Sequence, residues 1–154
     1  MSPRVVFWRS FYAIVNPFRR LYWRVVQPET RGVKCLIKYQ DRFLLIRLAY
    51  GHKQWTLPGG GVSKTESYEQ GAIRELHEET GVRVAVLNFI GQYESRVEHK
   101  RDTVQCFYGE VNSVYTKCDA LEVSEADWFS RSNFPIERGK TVDIIINLYD
   151  QWKT

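Results

Sequence analysis

Cysteine is scarce in this 154-residue chain: Cys35, Cys106 and Cys118 are odd in number, form no C-x-x-C pair and have no histidine cluster beside them. That excludes a disulfide framework and a thiolate zinc site, and it points to a reducing cytoplasm. Long apolar runs are missing too. The stretch from Val5 to Val15 is apolar and aromatic, but Arg9 interrupts it and Asn16-Pro17 follows, so it falls short of the ~20 residues that a membrane-spanning helix needs. It runs into Pro-Phe-Arg-Arg instead of a small-residue cleavage site, which argues against a removable export signal. There is no internal repeat and no low-complexity tract, and no proline occurs between Pro58 and Pro135. No acidic residue precedes Glu29. Arg4, Arg9, Arg19, Arg20 and Arg24 therefore give +5 in that segment, and since the whole chain carries +4 the remainder is nearly neutral at −1.

What is present suits one soluble α/β domain with its own core, because 154 residues with 44% apolar and 26% charged content are too few for two ordinary domains. Residues 1–28 read as a basic amphipathic helical extension. Asn16 is placed to cap a helix opened by Pro17 and closed by Pro28, with Phe18, Leu21, Tyr22, Val25 and Val26 on one stripe and Arg19, Arg20 and Arg24 off it. Packing on the domain or at a homodimer interface is the first use for such a helix; a membrane surface and nucleic acid are the others. From Val33 to Tyr39 and Phe43 to Ala49 the chain reads as a hairpin turning at Gln40-Asp41, with Lys34, Lys38 and Arg42 on a partly exposed face. Val84–Arg96 and Thr103–Val111 read as paired strands around a His99–Asp102 turn. DALEVSEADWF, 119–129, reads as an acidic loop entering a strand, and Thr141–Trp152 as a closing helix with Ile144, Ile145, Leu148 and Trp152 inward.

The most informative stretch is WTLPGGGVSKTESYEQGAIRELHEETGV, 55–82. Pro58 and three consecutive glycines cannot hold a strand or helix interior, so they form a tight loop. Good helix formers follow from Thr65 to Thr80, and Gly81 supplies a left-handed stop. Either Ser63, in a capping box with Glu66, or Thr65 opens that helix. Ala72, Ile73 and Leu76 make its apolar stripe, while Glu75, Glu78 and Glu79, at i, i+3 and i+4, share another face. Such a trio elsewhere is usually a solvated acidic face. Beside a glycine-rich loop, hard carboxylate oxygens suit Mg2+ or Mn2+ at a pyrophosphate.

Gly60, Glu66, Arg74, Glu75, Leu76, Glu78, Glu79, Gly81 and Val82 fall on the pattern G-x5-E-x7-R-E-U-x-E-E-x-G-U, with U a bulky apolar residue. A chance match is on the order of 10^-9 per starting point at average residue usage. The chain resembles the Nudix hydrolases, with high specificity over 60–82 and in element order over 31–154. The resemblance implies a Nudix-type α/β/α sandwich with a mixed β-sheet over 29–154. It implies Glu78, Glu79 and the carbonyl of Gly59 as ligands for Mg2+ or Mn2+, and Glu75 as a second-metal ligand or water-positioning base. Arg74 orients that glutamate, the alternative being an ordinary i to i+4 salt bridge with Glu78, and Glu66 braces the loop. A further acidic ligand beyond the box is expected at Glu122, six residues before Trp128, with Glu125 as runner-up.

The implied reaction is attack of activated water on a phosphorus of a nucleoside diphosphate linked to another group, the substrate being a small nucleotide. Lys53, with His52, is a candidate phosphate contact. Trp55, Tyr93 and Tyr108 are candidates for stacking on a base or sugar, although strand aromatics are more often core. Three departures stand out, the first bearing on loop shape and the other two on substrate without selecting one. Thr65 stands where many relatives have glycine, the proline of ADP-ribose-cleaving relatives is missing after the box, and TLPGGG replaces the proline-glutamine-glycine of bacterial RNA 5'-end pyrophosphohydrolases. A nucleotide sensor without turnover is the competing class, marked in such proteins by lost box carboxylates; here none is lost. A hydrolase directed to RNA 5' ends or the membrane surface by residues 1–28 is the other.

Overall fold

A computed structural model of the chain describes residues 29–49, 53–95, 101–114, 116–117 and 122–154. The expected extension over 1–28 and His52 lie outside the described residues.

Among the described residues six strands form one mixed sheet: β1 (Glu29–Tyr39), β2 (Arg42–Leu48), β3 (Trp55–Thr56), β4 (Asn88–Ser95), β5 (Arg101–Glu110) and β6 (Val123–Ser130). Their order is β3-β2-β1-β5-β4, with β6 paired to β2. β1 and β5 run parallel from Glu29↔Arg101 to Lys38↔Glu110, and the other pairings are antiparallel. The β1–β2 hairpin turns where expected, with Gln40 at φ 54°, but only Lys38↔Phe43 and Tyr39↔Arg42 pair across it. Beyond that point β2 turns to β6 and β3, and the gap beside β1 is filled by the glycine loop. That split gives the loop its seat.

Strand alternation sorts the apolar residues into two cores. Val33, Cys35 and Ile37 of β1, Leu44 of β2 and Phe107 of β5 pack with Ala72 and Leu76 of helix α1 (Tyr68–Thr80). Leu36, Phe43, Leu45, Cys106 and Tyr108 pack instead with Val142, Ile145 and Tyr149 of helix α2 (Lys140–Lys153). A helix covers each face, as expected for an α/β/α sandwich.

Several expectations need correction. α1 begins at Tyr68, not Thr65: Ser67 is the N-cap, and its hydroxyl accepts from the Gln70 N–H while the Gln70 side chain accepts from the Ser67 N–H. Ile73 is turned outward and is 48% exposed, because the stripe is set by Ala72, Leu76 and the buried Glu79. On α2 the buried stripe is Val142, Ile145 and Tyr149, not Ile144 and Trp152, which are exposed. β4 starts at Asn88 instead of Val84. β5 starts at Arg101, so Asp102 belongs to a strand paired with β1 and not to a turn. A short 3-10 turn, Arg131–Asn133, links β6 to the segment before α2. At the far end of α1, Gly81 takes φ 69° and its N–H donates to the His77 carbonyl at 2.8 Å, the left-handed closure the sequence predicts.

The facing of α1 is directly testable by urea unfolding. Leu76→Ala, at a position 1% exposed, is expected to cost about 2–5 kcal/mol. Ile73→Ala is expected to stay within about 0.5 kcal/mol. Equal losses at the two positions would contradict this facing.

Candidate active site

The loop after β3 lies along β1 as a substitute strand. Cys35 N–H donates to the Pro58 carbonyl at 2.8 Å, Val33 N–H to the Gly60 carbonyl at 2.9 Å, and Val62 N–H to the Arg31 carbonyl at 2.8 Å. Gly59 sits at φ +135°, and a Cβ there would lie 2.2 Å from the Val33 carbonyl oxygen, so backbone meets backbone and no side chain fits. At Gly60 a Cβ would fall 2.6 Å from Glu75 Oε2: the missing methyl leaves the space that the carboxylate fills.

Glu79 reaches this loop from α1. It is 5% exposed, and its Oε2 accepts the Gly59 N–H at 2.7 Å. Burial raises its carboxyl from the ordinary 4.5 to about 7; Lys34 and the Gly59 N–H pull it down, and the Glu75 and Glu122 charges push it further up. Glu75 and Glu78 are drawn to Arg74, whose Nη1 donates to Glu75 Oε1 at 2.8 Å and to Glu78 Oε2 at 3.1 Å. The orienting contact and the i to i+4 pair therefore coexist on one nitrogen. The same guanidinium donates to Glu66 through Nε at 3.1 Å and Nη2 at 2.7 Å, and to the Gly61 carbonyl at 2.9 Å. Glu66 Oε1 also accepts the Ser63 N–H at 2.8 Å, and the bonds from Arg74 and Ser63 hold its carboxyl down at about 2. Half of the expected Ser63–Glu66 box thus forms, but it closes the loop and does not open the helix.

Lys34 is the site residue that the sequence pattern did not single out. Its ammonium donates to the Leu57 carbonyl at 2.8 Å and the Gly59 carbonyl at 3.2 Å, so it points into the loop instead of lying on a solvated face. Burial lowers its pKa, opposed by the Glu79 and Glu75 charges. The available signal was a lysine set among Val33, Cys35, Leu36 and Ile37, a place where an unpaired charge is costly. Arg31 ties the other end of the loop, donating to the Ser63 and Glu66 carbonyls at 3.0 and 3.2 Å while its guanidinium lies 4.3 Å from the Tyr68 ring centroid.

Glu122 and Glu125 stand in different surroundings. Glu122 precedes β6, its carbonyl accepts the Ala49 N–H at 2.9 Å, and its charge acts on the Glu79 carboxyl. Glu125 is paired with Arg47 at 3.3 Å. Lys53 is exposed before β3. Trp55 is 7% exposed in the α2-side core, with Phe129 edge-on at 4.9 Å and the Arg47 guanidinium 4.8 Å from its ring centroid. Tyr93 packs on that same core, and burial raises its phenol to about 12. Tyr108 is buried there against Tyr149 and Trp152.

Glu75, Glu78, Glu79, Glu122 and the Gly59 carbonyl offer only hard oxygen donors, the chemistry of a divalent Mg2+-type ion. Mutual repulsion at Glu79 fits the same need for a cation. Among the described residues no three acidic groups yet converge on one ion-sized space, and Arg74, which holds Glu75 and Glu78, supplies the reason. Among the described residues no helix is long and apolar enough to cross a membrane.

The chain is similar to several known proteins. The NUDIX domain profile matches residues 28–148. A Bacillus subtilis (strain 168) protein named "Putative 8-oxo-dGTP diphosphatase" is 29% identical over 107 residues, 70% of each chain. An RNA pyrophosphohydrolase of Pelagibacter ubique (strain HTCC1062) is 26% identical over 149 residues, covering 84% of this chain and 92% of that one. The crystal structure of a MutT protein from Methanosarcina mazei Go1 superposes with TM-score 0.68 at 27% identity, over 84% of this chain and 99% of the other.

The raised Glu79 carboxyl fixes a sign. Its contribution to stability is complete below about pH 4.5 and is lost as pH rises through about 7. In chelator, urea unfolding of Glu79→Gln should lack this decline of about 3 kcal/mol and leave the variant more stable than the parent at pH 8. Parallel pH profiles for the two proteins would contradict the environment described for Glu79.

Proposed function

The chain belongs to the Nudix family, and from that membership we propose that it is a metal-dependent pyrophosphohydrolase of small nucleotides. It is a hydrolase of phosphoric anhydride bonds. The finer reading, water attack on phosphorus in a nucleoside diphosphate linked to another group, rests on one observation above the rest. A buried carboxylate, Glu79, is bonded to the glycine loop at Gly59 while Glu75 and Glu122 act on it from nearby.

Glu78, Glu79, Glu122 and the Gly59 carbonyl would hold Mg2+ or Mn2+. Bound there, the ion would polarise phosphoryl oxygens and neutralise charge developing on them. Glu75, fixed by Arg74, accepts a hydrogen bond from the attacking water and takes its proton as the new P–O bond forms; the bridging P–O bond breaks, and the leaving phosphate carries away the electron pair. Arg74 positions this base and also links Glu78, Glu66 and the Gly61 carbonyl, so helix and loop move as one unit. The substrate enters as a nucleoside triphosphate or related anhydride. The Bacillus subtilis relative makes oxidised deoxyguanosine triphosphate the first compound to try, and the Pelagibacter ubique relative makes 5'-triphosphorylated RNA the second. Neither Trp55, enclosed in the core, nor Tyr93, partly buried against it, is needed as a stacking platform in this reading, while Lys53 remains a phosphate contact to be tested. The odd count of three cysteines with no C-x-x-C pair supports placement in a reducing cytoplasm.

The test is a turnover screen with Mg2+ and with Mn2+ against nucleoside triphosphates, nucleotide sugars, dinucleotides and 5'-triphosphorylated RNA. Parent protein should release phosphate or pyrophosphate from at least one class. Glu79→Gln should lower kcat about 10^2- to 10^4-fold with the fold retained. Full activity in that variant would reject its role, and no turnover across the screen would favour a nucleotide sensor.

A further inference from the structure

The Gly59 peptide is gripped at both ends. Its N–H goes to Glu79 at 2.7 Å and its carbonyl to the Lys34 ammonium at 3.2 Å. Lys34 is rooted beside it, since its Cα lies 2.9 Å from where a Gly59 Cβ would be, and its second, shorter bond anchors it to the Leu57 carbonyl at 2.8 Å. A strand lysine that only filled space would not aim its charge at a carbonyl on the far side of a peptide held by a buried carboxylate. The carboxylates whose charges reach it are Glu79, a proposed metal ligand, and Glu75, the proposed base.

We propose that Lys34 is a positioning residue of the site: its ammonium is a resident cation that fixes the Gly59 carbonyl and withdraws from it, keeping the Leu57 carbonyl, when a divalent ion takes that oxygen. This inference rests on the reading of Glu79 and Gly59 as ligands. The Gly59 bond is the longer of the two, so it is the one released, while the Leu57 bond keeps the side chain in place. The loop then holds its shape without metal, and the same positive charge weakens metal binding.

Full-length Lys34→Met and Lys34→Gln are compared with the parent for Mn2+ affinity, read from the electron paramagnetic resonance signal of free Mn2+ at low ionic strength, and for melting in chelator. Both variants should bind Mn2+ about threefold more tightly or better, because a nearby positive charge is gone. Lys34→Met should melt lower than the parent in chelator, with two carbonyls left unpaired. Lys34→Gln, which keeps a neutral donor, should recover part of that loss and decides the matter if the Met variant does not fold. Mn2+ affinity unchanged or weakened in a folded Lys34 variant would overturn the inference. Glu79→Gln in the same titration separates the two levels: loss of Mn2+ binding there, with unchanged affinity in the Lys34 variants, removes this inference alone. Parent-like Mn2+ binding by Glu79→Gln removes the ligand reading beneath it and overturns the inference as well.

Discussion

One peptide group, Gly59, carries the organisation of this protein's working end. Its backbone lies so close to Val33 that any side chain would collide, its N–H is taken by a carboxylate on α1, and its carbonyl by an ammonium on β1. Sheet, loop and helix are thereby tied together through two charge-assisted hydrogen bonds, which are stronger than neutral ones and tolerate little displacement. Because β2 leaves β1 after two residue pairs, the loop can take the vacated edge and bond to β1 as a strand would.

The charges around that peptide are balanced internally. Glu66, Glu75 and Glu78 converge on Arg74, whose contacts span both ends of the signature. Glu79 leans on Lys34 and on the Gly59 N–H, yet burial and two neighbouring carboxylates still raise its carboxyl to about 7. Among the described residues, Glu66, Glu75, Glu78 and Glu79 thus gather around the cations Arg74 and Lys34. Such a site gains from a further cation, and the donors it presents are hard oxygens suited to magnesium or manganese.

Much of this was legible in the residue order because local rules and tertiary packing agree. The glycine loop, the helix with its left-handed stop at Gly81, the β1–β2 turn and the alternation that divides the two cores all follow from turn chemistry and periodicity. Where two local signals competed, the sequence alone did not decide. Ser63–Glu66 and Ser67–Gln70 both fit a capping pattern, and the structure uses the first to close the loop and the second to start the helix. Ile73 departs from the apolar-stripe expectation because Ala72, Leu76 and a buried Glu79 set the inner face, and a buried glutamate breaks the hydrophobic pattern that defines such a stripe. The apolar neighbours of Lys34 hint that it is not on a partly exposed face, but the strand by itself does not reveal the two carbonyls, 23 and 25 residues away, that it meets. Spacing does not distinguish Glu122 from Glu125; in the fold Glu125 pairs with Arg47 on the neighbouring strand, and the Glu122 charge acts on Glu79.

The most direct test of the central claim is the anomalous difference map of a crystal soaked in Mn2+. An ion bonded to a Glu79 oxygen and the Gly59 carbonyl, with Glu78 drawn away from Arg74, is the predicted result. A map with no ion within coordination distance of Gly59, and Glu78 still paired to Arg74 under saturating metal, would contradict the account.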